Sequence, residues 1–416
     1  MWKRWRIRIL LFLAVLGPGF ITANVDNDSG GIFTYSQAGA QYGYTLLWTM
    51  IPITIALIVV QEMCGRMGVV TGKGLSDLIR EEFGLRFTFL MMVLLVVLNY
   101  TNVVTEFIGI AGSLHLFHLS KFISVPICAV LVWLLVLKGD YKSTEKIFLI
   151  ASLVYIAYIF AGVLAHPDWH ESLKATVTLP AKSVWRDKTY IYMAIGVVGT
   201  TIAPWMQFYL QSSIVEKGIS VKDYAASRLD VIVGCFFTDL IAWFIVVACA
   251  ATLFVHGMGA IQIAADAAEA MRPLAGDYAF LLFAFGLFNA SLFAASILPL
   301  STAYTVCEGL GVESGVDKSF KEAPFFYWLY TLLIAGGAVT VLVLPDGQLI
   351  NVAILSQVLN GVLLPVVIIP MLLLINRKDL MGDHRNTRLW NGIAWATSAI
   401  VIVMTGVMLW GMLPGH

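Results

Sequence analysis

The chain has 416 residues, of which 59% are hydrophobic and 12% charged, and its mean hydropathy is +0.84. That balance excludes an ordinary soluble domain and indicates a chain with many membrane-spanning segments. A formal net charge of zero excludes a bulk electrostatic case for nucleic acid.

The N-terminus, MWKRWRIRIL, has the basic start of a signal peptide. The apolar run continues through Phe20 with no small-residue cleavage site, so a retained first helix is expected. Crossing a bilayer takes about 20 apolar residues. Eleven such runs are expected, centred at roughly residues 17, 55, 97, 129, 155, 198, 243, 291, 334, 362 and 402. The connecting segments are short, so residues 1–416 read as a single membrane domain. Cys64, Cys128, Cys235, Cys249 and Cys307 fall in or beside apolar runs without CxxC spacing. Small buried apolar residues are expected there, not disulfides or metal ligands.

The first run contains NVDNDSGGIF, residues 24–33, with Asp26, Asn27, Asp28, Ser29 and the pair Gly30-Gly31. A lipid-facing helix should carry neither two carboxylates nor a glycine pair. Unwound backbone at membrane depth is tolerated only where it lines a cavity or is buried in protein. The sixth run is interrupted in the same way at GTTIAPWMQF, residues 199–208, where Pro204 removes a backbone donor and crowds the preceding turn. Corresponding breaks five runs apart point to an inverted-repeat transporter with its site at the membrane midplane. Glu106 in the third run and Asp239 in the seventh are intramembrane acids, which are functional candidates by default.

Basic residues gather on one side of the runs: Lys3, Arg4, Arg6 and Arg8, then Lys73, Arg80 and Arg86, Lys138, Lys142 and Lys146, Lys217, Lys222 and Arg228, Lys318 and Lys321, and Arg377, Lys378, Arg385 and Arg388. The positive-inside rule then expects a cytoplasmic N-terminus and an extracellular C-terminus in a plasma membrane. Trp48, Trp169, Trp328 and Trp390 are expected in interfacial belts, and Arg66 as a snorkelling or gate residue.

GPGF (17–20), QAGAQYGYTLLW (37–48) and RMGVVTGKGL (66–75) resemble the first two helices of the NRAMP divalent-metal transporters. The resemblance continues through Glu106, the APW of the sixth run, SQV (356–358) and RKDLMG (377–382). It implies an all-α polytopic protein of the LeuT-type fold with helices 1 and 6 broken at the midplane. Spans 1–5 (about 9–165) and 6–10 (about 189–376) would be inverted repeats, with an additional helix at about 388–413. That family carries Asp-Pro-Gly-Asn in the first break and Met-Pro-His in the second. Here the first motif falls on Asp28, Ser29, Gly30 and Gly31, and the second on Ala203, Pro204 and Trp205. The charge is kept; the asparagine, the sulfur and the imidazole are lost.

Thioether sulfur favours softer transition metals. Mg²⁺ prefers octahedral oxygen and is usually held by one or two carboxylates while keeping several waters. The altered pattern is similar to the NRAMP-related magnesium transporter (NRMT) branch. It implies a carrier for partly hydrated Mg²⁺ and for Mn²⁺, bound as substrate, with no cofactor, no enzymatic activity, the lipid bilayer as surroundings and a monomeric state.

The metal candidates are the Asp28 carboxylate, Asp26, the position of Gly31, the backbone at Ala203, Gln207 acting through a metal-bound water, and Gln357, which matches a family glutamine near the ion. An extended backbone would aim Asp26 and Asp28 the same way. Asp26 equally suits a cap on the second half-helix, Gln207 a pore-facing polar residue and Gln357 an interhelical hydrogen bond. Asn27, Gly30, Pro204, Trp205, Glu106 and Asp239 are further candidates for the pathway.

The acid that the family pairs with the Glu106 position is Val103 here, and Gln211 stands at a usual histidine. No histidine falls mid-span, so weak or absent proton coupling is expected. An inside-negative potential favours a divalent ion by about 4.6 kcal/mol per 100 mV. The alternative is a proton-coupled Mn²⁺/Fe²⁺ importer, which should carry Met and His in the second break. An organic-solute symporter would favour a neutral pocket. A receptor would need a signalling domain, and an enzyme a nucleophile–base or His-rich cluster.

Overall fold

The computed structural model describes residues 17–139, 141–259 and 261–411, which form helices joined by short turns. Lys3, Arg4, Arg6, Arg8 and the apolar run before Gly17 lie outside the described residues. The first half of the chain forms α1 (Pro18–Val25), α2 (Ser29–Tyr42), α3 (Met50–Thr71), α4 (Leu75–His115), α5 (Lys121–Lys138), α6 (Tyr141–Val154), α7 (Ile156–Leu164) and α8 (Trp169–Val177). The second half forms α9 (Lys188–Thr201), α10 (Pro204–Glu216), α11 (Tyr224–Cys249), α12 (Ala264–Leu310), α13 (Pro324–Val343), α14 (Asp346–Ile375), α15 (Lys378–Met381) and α16 (Arg388–Gly411).

Among the described residues, nine helical segments are long and apolar enough to cross a membrane. They coincide with nine of the expected runs, those centred from about residue 55 to about residue 362, and the run centred near residue 17 lies largely outside the described residues. The break leaves α1 with 8 residues and α2 with 14, and α2 and α3 run together as one segment through the 3-10 turn Gly43–Thr49. The last expected run falls in α16 (Arg388–Gly411), whose described apolar stretch is Arg388–Val403.

The helices start and stop where local chemistry dictates. Asp168 and Asp187 accept from Glu171 N and Thr189 N at 2.9 Å, capping α8 and α9. The Thr189 hydroxyl holds the exposed Asp187 carboxyl below its ordinary range. Pro204 and Pro324 open α10 and α13 at the position where a missing N–H costs nothing. Gly72 and Gly311 end α3 and α12 in left-handed conformations.

α1, α2, α3 and α7 gather around α11, while α4 packs along α12, with α13 against both. α14 lies between α4 and α9. Large apolar side chains such as Phe89, Val97, Ile127, Val130 and Leu332 are exposed, as a bilayer solvent requires. All five cysteines are free and buried, as expected.

Two polar ties cross between elements. Asp230 of α11 reaches the start of α1, where Oδ1 accepts from Gly17 N (2.8 Å) and Phe20 N (3.1 Å), and Oδ2 accepts from Gly19 N (2.8 Å). Arg66 does not snorkel. It is buried, pairs with Glu62 at 3.1 Å, and donates to His384 O, Arg385 O and Asn386, tying α3 to the 384–386 turn. Tyr224 of α11 donates to Glu62 in the same cluster.

Candidate metal site

Residues 26–28 separate α1 from α2. Asp28 is extended (φ −71°, ψ −178°), and its Oδ1 accepts from Gly31 N at 2.7 Å. It therefore serves as the N-cap of α2, where the helix dipole favours an anion. Glu106 of α4 is fully buried, and its Oε2 accepts from Ser29 N at 3.1 Å. Two carboxylates thus converge on the first turn of α2. Glu106 Oε1 is buried with no hydrogen-bond partner, and neither acid has an ion-pair partner among the described residues.

The glycine pair has two separate purposes. A Cβ on Gly30 would collide with Gln357 Nε2, so Gly30 lets the α14 amide lie directly on the helix start. Gln357 Oε1 is buried and unpartnered beside that contact. A Cβ on Gly31 would stand 2.5 Å from the Asp26 carbonyl oxygen and 3.4 Å from Asp28 Oδ1. Gly31 therefore contributes its N–H to Asp28 and has no room for a ligating side chain, which corrects its place among the metal candidates.

Asp26 does not share the direction of Asp28. Its backbone is helical (φ −60°, ψ −29°), not extended, so the two-residue alternation fails. The carboxylate that acts on it most strongly is Asp239 of α11. Asn27 also faces α11, donating from Nδ2 to Thr238 O at 3.0 Å and Thr238 Oγ1 at 2.7 Å. Asn27 and Asp239 are therefore placed away from Glu106 and Gln357.

The second break lies between Thr201 and Pro204. Ala203 is extended (φ −77°, ψ 141°), and its carbonyl accepts from Met206 N at 3.2 Å. With its amide oriented to satisfy its neighbours, Gln207 donates to Ala203 O and Pro204 O at 2.7 Å. Gln207 is fully buried and closes its own break, which corrects the expectation that it reaches a metal-bound water. Trp205 is buried, and its carbonyl accepts from Ser301 Oγ at 3.0 Å. The indole is a wall, not a ligand.

Several residues escaped the sequence reading. Tyr35 OH meets Thr201 Oγ1 at 2.7 Å and ties α2 to the edge of the second break. Asn102 bonds Asn360 at 3.3 Å, and Thr105 meets Ser356 at 3.2 Å, forming a polar seam between α4 and α14 that leads to Gln357. Asn99, Asn102, Thr105 and Glu106 recur at helical spacing within an apolar run. That stripe was the available signal.

Chemically, the first turn of α2 offers a fixed carboxylate and a second buried carboxylate, beside the Gln357 amide. This is a hard-oxygen set for a divalent cation.

Residues 19–411 match the model of the Nramp family, described as natural resistance-associated macrophage protein-like. The chain is 26% identical to a divalent metal cation transporter MntH of Klebsiella pneumoniae, over 97% of this chain and 95% of that relative. It is 27% identical to MntH of Deinococcus radiodurans, over 98% and 91%. A manganese transporter structure from Eremococcus coleocola superposes with a TM-score of 0.75 at 21% identity, covering 95% of this chain and 85% of that one. The nucleobase-cation-symport transporter MHP1 superposes at 0.60, with 14% identity over 95% and 92%. The chain belongs to the Nramp family of membrane metal transporters.

Proposed function

We propose that this Nramp-family chain carries Mg²⁺ and Mn²⁺ across the plasma membrane by alternating access, with the ion bound at the first turn of α2. The observation that carries this reading is the convergence of Asp28, Glu106 and the Gln357 amide on one buried helix N-terminus. Carboxylate and amide oxygens suit hard cations, and Ala203 supplies no sulfur to favour softer ones. Mg²⁺ would keep part of its water shell, because Gly31 and Ala203 bring no side-chain ligand. In this reading transport is driven by the potential on a divalent charge, with proton coupling weak or absent. The distribution of Lys and Arg supports a cytoplasmic N-terminus.

The test is Mg²⁺ entry into proteoliposomes holding a Mg²⁺ dye and a pH dye, at inside-negative potential and without a pH gradient. Entry that Mn²⁺ competes with, that Asp28→Ala abolishes and that leaves the lumen pH unchanged is the expected result. Entry of Mn²⁺ only, and only with an acidic outside, would overturn the reading in favour of a proton-coupled importer.

A further inference from the structure

Asp26 and Asp239 are left unexplained by the Asp28 site. They are 2% and 4% exposed; both Asp26 oxygens are buried with no hydrogen-bond partner, and beside Asp239 stands the Thr54 hydroxyl, which is given to Met50 O at 2.7 Å. Neither forms an ion pair among the described residues. Asn27 joins the two acids structurally. It follows Asp26 in the break, and its Nδ2 is pinned to Thr238, the neighbour of Asp239. Its Oδ1 is buried and unpartnered, and so is Asn24 Oδ1 one turn earlier in the chain.

The pair sits among α1, α2, α3 and α11. Thr54 of α3 lines the same crevice as Asp239, and Tyr35 of α2 feels the charge of both acids. Asp28 is the other acid in reach, and the Cys235 thiol lies one turn before Asp239 on its own helix.

Two uncompensated carboxylates at this depth would carry a desolvation cost far larger than any single interaction in the fold. Protons or a bound cation must offset it. No group of three His, Cys, Asp or Glu side chains converges among the described residues, so neither a thiolate–imidazole cluster nor a third acid completes the pair. Two carboxylates plus neutral amide oxygens are the ligand set of a hard divalent cation.

We propose that Asp26 and Asp239 hold a second divalent cation, distinct from the ion at Asp28. Because its ligands come from the first break and from α11, that cation is a resident of the α1–α2–α11 group. It fastens the break to α11 while the ion at Asp28 comes and goes on the α4 and α14 side. The proposal does not depend on which metal crosses at Asp28.

The full chain carrying Asp28→Ala isolates this site. Purified in detergent and stripped with chelator, that protein should bind one Mn²⁺ by electron paramagnetic resonance. Its melting temperature should rise as Mn²⁺ is added, as for any ligand of the native state. Adding Asp239→Asn or Asp26→Asn should abolish both responses, whereas Asp239→Glu should keep them. Size-exclusion profiles matching the parent show that a lost response is not lost folding. Wild-type protein should bind two Mn²⁺, and Asp239→Asn alone one. A Mn²⁺ stoichiometry of one in wild type and zero in Asp28→Ala, with no melting shift in the latter, would overturn the proposal and assign protons to the pair. Failure of the transport assay with two Mn²⁺ still bound would instead count against the reading of Asp28.

Discussion

Asp230→Asn tests whether one side chain of α11 holds the start of α1. The carboxylate now accepts three backbone N–H groups, at 2.8, 2.8 and 3.1 Å. An asparagine has one acceptor oxygen. Its best placement keeps Gly17 N and Phe20 N on that oxygen and turns its own NH₂ toward Gly19 N–H. One bond to a charged acceptor is then lost, about 1.5–3 kcal/mol, and two others weaken to ordinary strength. The sum is about 2–4 kcal/mol. With an unfolding entropy of about 2.1 cal/mol/K per residue, that corresponds to a fall of about 2–5 °C in melting temperature. Thermal unfolding in detergent, followed by intrinsic fluorescence, reads it directly. Asp230→Ala leaves all three donors unpaired and should fall further. Melting within 1 °C of wild type for both variants would refute the argument that Asp230 anchors α1.

Other substitutions separate stability from transport. Asp28→Asn keeps an oxygen for Gly31 N but loses the charge, so uptake should vanish with little change in melting. Asp28→Ala loses the cap as well and should cost about 0.5–2 kcal/mol in thermal unfolding. Gly30→Ala gains about 0.5–1 kcal/mol of helix preference, yet its Cβ displaces the end of Gln357. Melting should hold while Mg²⁺ uptake drops severalfold, and in a Gln357→Ala background the same change should cost no further uptake. Arg66→Met strands the buried Glu62 and should cost about 3–5 kcal/mol in thermal unfolding, with partial recovery when Glu62→Gln is added.

Much of the site could be read before any coordinates. Two acids and a glycine pair inside an apolar run, matched by a proline-centred interruption five runs later, located both breaks. The stiffness of proline and the cost of burying charge act locally, so they leave their mark in sequence. The direction of each side chain did not. Asp26 and Asp28 are two residues apart, but a helical turn at Asp26 sends them to different neighbours. Gln207 looked free until its partners proved to be carbonyls three and four residues back. Asp230 caps a helix more than 200 residues away in the chain, and no local pattern announces such a contact.

The two breaks differ in how they are completed, and this bears on where the empty carrier can loosen. Gln207 bridges the carbonyls of Ala203 and Pro204 with its own amide, so the second break is closed by covalently attached chemistry. The first break leads into a turn whose second acid, Glu106, keeps one oxygen with no protein partner. Removing the ion should therefore quicken deuterium uptake at the amides of residues 26–31, while those of residues 205–208 keep their slow exchange. The carrier would then rest on one stiff jaw and one that firms only around its cargo.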